Sequence, residues 1–492
     1  MSSRRRSRER SYSVPAHARH VVLLALVAAA FGAFASAAYA AHVEIVTQVE
    51  PPSGKTPANV HYFKTIQGAV NATESGDWVL IEPGVYDEEV KVAEPHNHIW
   101  IRGMDRNKVI LDGQNKPLPT GSNGIEVFKT SNVWIENLTV RNFDRAEQNG
   151  PGGNEIWWNG GDGTGVIGAH GWFGRYLTAY DTGLNGGYGI FTSNENVGEW
   201  ENIYASGFND SGMYLGACVE CKARINKAVM EDNALGYSGS NSGGKLIMEN
   251  SVFAHNSVGI APNSENPGDA PPPQNGACGP KKPYTETHQV LPTFSTTEIA
   301  RCTIMRNNVV EENNNLEAPD NGSTEIAPWG AGIELAGDYA DLVEGNLIKN
   351  NPTNGVLAFE YPNPFPPQEG TIYFQLAGNR VSGNTFQGNG SAGGAFAGDL
   401  VLQGGVFGEQ KSTNNCVSGN SFTAATYPAE IEGTWGCQNK TTPNPNNGEA
   451  ALGYLIELSL FAPRNPQPQP APKEQATMPH PCEGAPKNPL CP

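Results

Sequence analysis

Glu201-Asn202-Ile203-Tyr204-Ala205, Ile225-Asn226-Lys227-Ala228-Val229 and Glu249-Asn250-Ser251-Val252-Phe253 repeat one pattern, an asparagine leading into a short apolar strand. From Asn202 to Asn226 is 24 residues, and from Asn226 to Asn250 is 24 again. The pattern is first met at Glu136-Asn137-Leu138-Thr139-Val140 and resumes at Asn308, Asn346, Asn384 and Asn420, in steps of 38, 38 and 36 residues, the same quantum enlarged by an insertion. A fixed period of about two dozen residues with insertions at one place marks a solenoid. The segments between anchors are four to six residues long, rich in Val, Ile, Thr and aromatics, and bounded by Gly, Asn and Asp, so they read as strands. With 58 glycines and 37 prolines, almost no uninterrupted helical period is left. Asparagine suits a recurring corner because it tolerates the left-handed backbone conformation and its amide can bond along a stack of equivalents. The expected fold is all-β: a single-stranded right-handed parallel β-helix, about three short strands per coil, coils about 4.8 Å apart.

A second phase fixes the register. Gly189-Ile190-Phe191-Thr192, Gly212-Met213-Tyr214-Leu215, Gly236-Tyr237-Ser238-Gly239, Gly259-Ile260-Ala261-Pro262, Gly332-Ile333-Glu334-Leu335 and Gly355-Val356-Leu357-Ala358 each lie about ten residues from an anchor. Strand alternation points Ile190, Met213, Tyr237, Ile260, Ile333 and Val356 inward and Phe191, Tyr214, Ser238, Ala261, Glu334 and Leu357 outward on one continuous face, the expected place of a binding groove. Asn194, Asn241 and Asn263 fall near its end.

Residues 1–40 read as a signal peptide: Arg4, Arg5, Arg6, Arg8, Arg10 and Arg19 precede the apolar run Val21 to Phe34, and Ala38-Tyr39-Ala40 supplies a cleavage pattern. The alternative is an uncleaved anchor, since Val21 to Ala41 is just long enough to span a bilayer. Cleavage after Ala40 removes six arginines and one glutamate, leaving 26 basic and 49 acidic residues and a net charge of −23. Such a surface repels phosphate backbones, so nucleic acid is excluded as a partner, and no membrane association is expected after cleavage. The localisation read here is secreted or cell-surface. Eight cysteines in an exported chain make an even set, and the simplest pairing is local: Cys218 with Cys221, Cys278 with Cys302, Cys416 with Cys437, Cys482 with Cys491. The spacing of Cys218 and Cys221 also suits two zinc ligands, but a second pair at metal spacing is missing.

Phe63-Lys-Thr-Ile-Gln-Gly-Ala-Val70 followed by Gly76-Asp77-Trp78-Val79-Leu80-Ile81-Glu82-Pro83-Gly84-Val85-Tyr86 resembles the opening of pectinesterase-like and NosD-like β-helix proteins of the pectin lyase-like superfamily. The resemblance implies a small N-terminal cap helix. Gly212-Met-Tyr-Leu-Gly-Ala-Cys-Val-Glu-Cys221 and Asn233-Ala-Leu-Gly-Tyr-Ser-Gly-Ser-Asn241 resemble exported bacterial parallel β-helix repeat proteins. The division that follows is a lead-in over 41–58, a solenoid over 59–440, a closing cap over 441–461 above the last coil, and a disordered Pro-rich tail over 462–492. The Pro-rich stretch Pro262 to Pro292 reads as an insertion between coils.

Carboxylate signatures of the β-helix enzymes are missing. Gly168-Ala-His170-Gly171 resembles a polygalacturonase Gly-His-Gly without its aspartate pair, for Asp162 and Asp181 are isolated, and no Asp-Pro-His is present. The remaining catalytic candidates are Glu334 with Asp338 and Glu360, as two carboxylates of a glycosidase, and His170; the simpler reading of each is a solvated or structural side chain. Trp157, Trp158, Trp172, Phe173 and Tyr176 lie in a Gly-rich stretch read as a loop, either a platform for sugar rings or a fold-back onto the solenoid. The carbohydrate-binding candidates are Trp157, Trp158, Trp172, Phe191, Tyr214, Asn241 and Asn263. No cofactor is expected, apart from calcium if the protein is a lyase, and no metal site. His96 and His98 leave open a NosD-like periplasmic metal-delivery role; the other readings are a protein that binds or processes extracellular polysaccharide (a lyase or glycosidase if catalytic) and a non-catalytic cell-surface carbohydrate-binding or structural solenoid.

Overall fold

The computed structural model describes residues 41–51, 56–116, 118–147, 150–161, 166–218, 220–263, 278, 290–292, 298–320, 324–360, 376–404, 412–438 and 452–492. The expected signal segment, Asp162 and most of the Pro-rich stretch 262–292 lie outside them.

The chain is a right-handed parallel β-helix. An 11-stranded sheet and a 21-stranded sheet are built of in-register parallel strands, and the larger carries two strands per coil, so each coil has three faces. One complete coil is Cys221–Asn226 on the first face, Val229–Glu231 on the second and Leu235–Ser240 on the third. The next coil begins at Gly244–Glu249, directly paired with Cys221–Asn226. Along the third face Ile156, Ile190, Met213, Tyr237, Ile260, Ile333, Val356 and Leu400 follow one another in register, all fully buried. Each such column removes apolar side chains from water one coil at a time, the main driving force of the stack.

The asparagine anchors split into two adjacent positions. Glu201, Asn226 and Glu249 are register partners, so Asn202 and Asn250 align with Lys227 rather than with Asn226. Asn202, Lys227, Asn250 and Asn307 all carry φ near 55°, the left-handed corner. The next position faces inward, where Asn308, Asn346, Asn384 and Asn420 form a ladder, each Nδ2 donating to the following Oδ1 at 2.9–3.1 Å, and Glu432 accepts from the last. A second inner ladder, Asn233, Asn256, Asn313, Asn351 and Asn389, repeats every link at 3.0 Å and ends on Asp399. Buried amides are tolerated because each satisfies its neighbour.

The lead-in belongs to the solenoid: Val43–Val46 pairs with both Val60–Phe63 and Trp78–Ile81. The helix Ile66–Val70 caps the first coils, with Thr65 accepting from the Gly68 backbone N–H. The far end is closed by the short helix Ile431–Thr434 and buried Trp435. The helix Leu452–Leu460, expected over the last coil, instead packs across the third face, its Tyr454, Leu455 and Leu458 buried among Leu235, Ala261, Leu357 and Val401. The Pro-rich tail, expected to be disordered, has no helix or strand, yet it is seated. Arg464 pairs with Asp320 at 3.1 Å, the Gln467 N–H donates to the Glu317 carbonyl, and the Gln475 N–H donates to Asn107 Oδ1 at 3.0 Å. Arg102 Nη1 donates to the carbonyls of Pro481 and Glu483 at 2.9 and 2.7 Å. Composition foretold the lack of secondary structure; the missing backbone partners are supplied by side chains and carbonyls outside the tail, which composition does not reveal.

Candidate functional site

On the third face the outward positions also form a column: Lys91, Glu126, Trp157, Phe191, Tyr214, Ser238, Ala261, Glu334, Leu357, Val401 and Tyr427 follow in register. Strand alternation places them, since each is one residue beyond an inward member of the core column. Trp157 stacks on Phe191 with centroids 5.1 Å apart and planes 2° from parallel, and Tyr214 stands at 90° to Phe191. Tyr188 joins Phe191 and Tyr214 at 4.7 and 5.1 Å. All four rings are half-buried, leaving an aromatic strip along the axis.

The strip leads into a cavity of about 510 Å³ between the third face, the loop 324–328 and the helix Leu452–Leu460. Tyr188, Asp210, Tyr214, Glu334, Ile326 and Leu455 lie in its lining. Glu334 is buried at 5% exposure, its Oε2 has no hydrogen-bond partner among the described residues, and burial pushes its carboxyl up to about 8, opposed by Arg464. It is therefore a neutral hydrogen-bond donor at pH 7. Asp210, the other carboxylate of the lining, precedes the strand Ser211–Gly216 three coils away and is offset along the strand as well, so the two stand more than roughly 14 Å apart at the spacing of stacked strands. A glycosidase pair stands about 5–9.5 Å apart. Asp210 and Glu334 do not meet that requirement.

The other catalytic candidates are not in the cavity lining. Asp338 is buried beyond the cavity lining, pushed well above the carboxylate range by burial and then by Asp341 and Glu334. Glu360 is fully buried and accepts from Ser412 Oγ at 2.9 Å. His170 is exposed, its Nδ1 2.6 Å from Asn196 Oδ1, and is not among the cavity residues. Asn241 is buried, whereas Asn263 lines the cavity with its Oδ1 unpartnered among the described residues. The stretch read as a loop is a strand, Asn154–Asn159, and alternation that turns Trp157 outward turns Trp158 inward. Trp158 and Trp172 are fully buried; Trp158 Nε1 donates to the Val133 carbonyl, and Trp172 packs on Trp200 with centroids 4.6 Å apart. Neither offers a surface to a ligand.

Two features escaped sequence reading. Trp78, Trp100, Trp134 and Phe173 stack outward on the first face at 4.8, 4.6 and 4.6 Å, one ring per coil, covering each other's faces. The signal was an aromatic at the same register position in four coils, visible once the strands are aligned. The second is the helix Leu452–Leu460 as a wall of the cavity. All eight cysteines are paired as neighbours, Cys218–Cys221, Cys278–Cys302, Cys416–Cys437 and Cys482–Cys491, so the first pair holds no metal. His96 and His98 are engaged separately, His96 Nδ1 3.0 Å from the Thr73 carbonyl oxygen and His98 edge-on to Trp100 and Trp134.

No family model and no curated protein matches the chain. Among solved structures, the A-module of the Azotobacter vinelandii mannuronan C-5 epimerase AlgE4 is 12% identical over 72% of this chain and 90% of its own, with a TM-score of 0.42. Pectin methylesterase PemA from Erwinia chrysanthemi is 12% identical over 82% of this chain and 98% of its own, at 0.36. A family 28 exopolygalacturonase of Yersinia enterocolitica is 10% identical over 83% and 77%, at 0.44. What this chain shares with them is the parallel β-helix fold.

Proposed function

We propose that the protein is a secreted or cell-surface solenoid that binds an extended, neutral polysaccharide along its third face. The observation that carries this reading is the register itself: Trp157, Phe191 and Tyr214 recur once per coil and run into a cavity whose buried carboxyl, Glu334, is a neutral donor. The exposed parts of the half-buried aromatic rings give a sugar apolar contact, and a protonated carboxyl donates to a hydroxyl. A net charge of −23 after removal of residues 1–40 disfavours uronate chains. Four disulfides suit an oxidising compartment. Calorimetric titration with a panel of neutral and uronic oligosaccharides, with and without calcium, tests the reading. Saturable binding of a neutral chain supports it; binding confined to uronates, or to none of the panel, sinks it.

A processing activity is the second reading, favoured by the raised Glu334 carboxyl, which is in the state a general acid requires. Release of new reducing ends from a bound neutral glycan, abolished in Glu334→Gln while binding persists, distinguishes it from binding alone.

A further inference from the structure

At the first coil three potential ligands converge, His42, Glu44 and Asp77, and a fourth, His61, adjoins Glu44. His42 and Glu44 are alternate residues at the start of Val43–Val46, and Glu44 is the register partner of His61 on Val60–Phe63. Continuing the register of Val43 with Trp78 by one residue makes Asp77 the partner of His42. Register partners in parallel strands project to the same side, so all four side chains share one side of the sheet. His42 Nδ1 lies 3.6 Å from Asp77 Oδ2, and His61 Nδ1 lies 3.0 Å from Glu44 Oε2. Ligand atoms of His42, Glu44 and Asp77 all fall within 4.8 Å of one another.

The charges are unbalanced. The Glu44 and Asp77 side chains are 1% and 0% exposed, and among the described residues no Lys or Arg pairs with either. The imidazoles, 34% and 49% exposed, are the route in from solvent.

We propose that His42, Glu44, His61 and Asp77 form a zinc site that ties the first three strands together. Two imidazole nitrogens and two carboxylate oxygens are a tetrahedral donor set, whereas calcium and magnesium take oxygen. Atoms bound tetrahedrally at about 2.1 Å stand roughly 3.4 Å apart, between the 3.0 and 3.6 Å of the two pairs. Four protein ligands close the coordination shell, so the role is structural.

The test is calorimetric titration of the chelator-stripped full chain with zinc chloride, calcium and magnesium chlorides serving as controls. The expected result is one zinc per chain, a melting temperature that rises with zinc, and affinity weakened at least about tenfold in His42→Ala and in His61→Ala. The exposed imidazoles allow these variants to fold, which circular dichroism verifies. Absence of zinc uptake by the folded chain, uptake unchanged in both variants, or equal uptake of calcium overturns the proposal; glycan binding at the third face is a separate readout and stands or falls by itself.

Discussion

Trp157 and Phe191 stand one coil apart with ring planes 2° from parallel, while Trp158, the next residue in the chain, is fully buried beside Trp200. Adjacent tryptophans thus test opposite faces of one strand. Trp157→Ala is expected to leave the fold intact and weaken neutral-glycan binding by about 1–3 kcal/mol. Trp158→Ala is expected to destabilise the protein by about 3–5 kcal/mol. Calorimetry and denaturant unfolding of the two variants check the pair; equal effects on binding from both would remove the strip from the site.

The buried carboxyls give the protein a directional response to pH. Burial raises Glu334 to about 8, Asp144 to about 7 and Asp181 to about 6, all above their unfolded values near 4. Groups held protonated contribute stability that is fully present below about pH 4 and is lost as pH rises through the folded values, here toward pH 8. The expected outcome is a melting temperature that falls between pH 5 and 9 (roughly the span these groups cover). Glu334→Gln should flatten the upper part of that fall. A melting temperature that climbs over this range would refute the assignment.

Arg102 is 1% exposed and joins Glu136, at 2.6 Å, to the tail carbonyls of Pro481 and Glu483. Arg102→Ala leaves Glu136 with Arg175 as its remaining ion-pair partner among the described residues and should cost about 3 kcal/mol or more. It should also release the end of the tail, seen as rapid proteolysis beyond residue 475. A tail equally protected in the variant would mean that Arg102 does not anchor it.

Asn313 sits in the middle of an inner ladder, donating to Asn351 and accepting from Asn256. Asn313→Ala removes the acceptor of the Asn256 backbone N–H and Nδ2, while Asn351 Oδ1 keeps the backbone N–H of residue 313, and a loss of about 1–3 kcal/mol is expected for each buried group left unpaired. Asn202→Ala, at a left-handed corner, should cost only about 1–2 kcal/mol. Urea unfolding that ranks the two in the opposite order would contradict the ladder's role.

The period and the third-face alternation were legible in the sequence because each inward residue, from Ile190 to Val356, is apolar and follows a glycine. The asparagine phase was legible only where Asn308, Asn346, Asn384 and Asn420 repeat it; at Asn226 the coils have 25 and 23 residues rather than 24, so equal spacing hid a one-residue slip. Trp158 was misplaced because glycines around Asn154–Asn159 masked a strand. The seat of the tail and the meeting of His42, Glu44, His61 and Asp77 depend on which strands become neighbours, information that local pattern does not hold.

The tail also acts as a ruler. Solenoids grow by duplicating a coil, and their length is ordinarily unconstrained. Here the twelve residues from Arg464 to Gln475, eleven steps of chain, bridge Asp320 in a late coil and Asn107 in an early one, with a fully extended reach of about 36–40 Å. Each coil inserted between those two points lengthens the span by about 4.8 Å while the bridge keeps its length. The number of coils in this protein is thereby tied to the length of a segment that contributes no coil of its own.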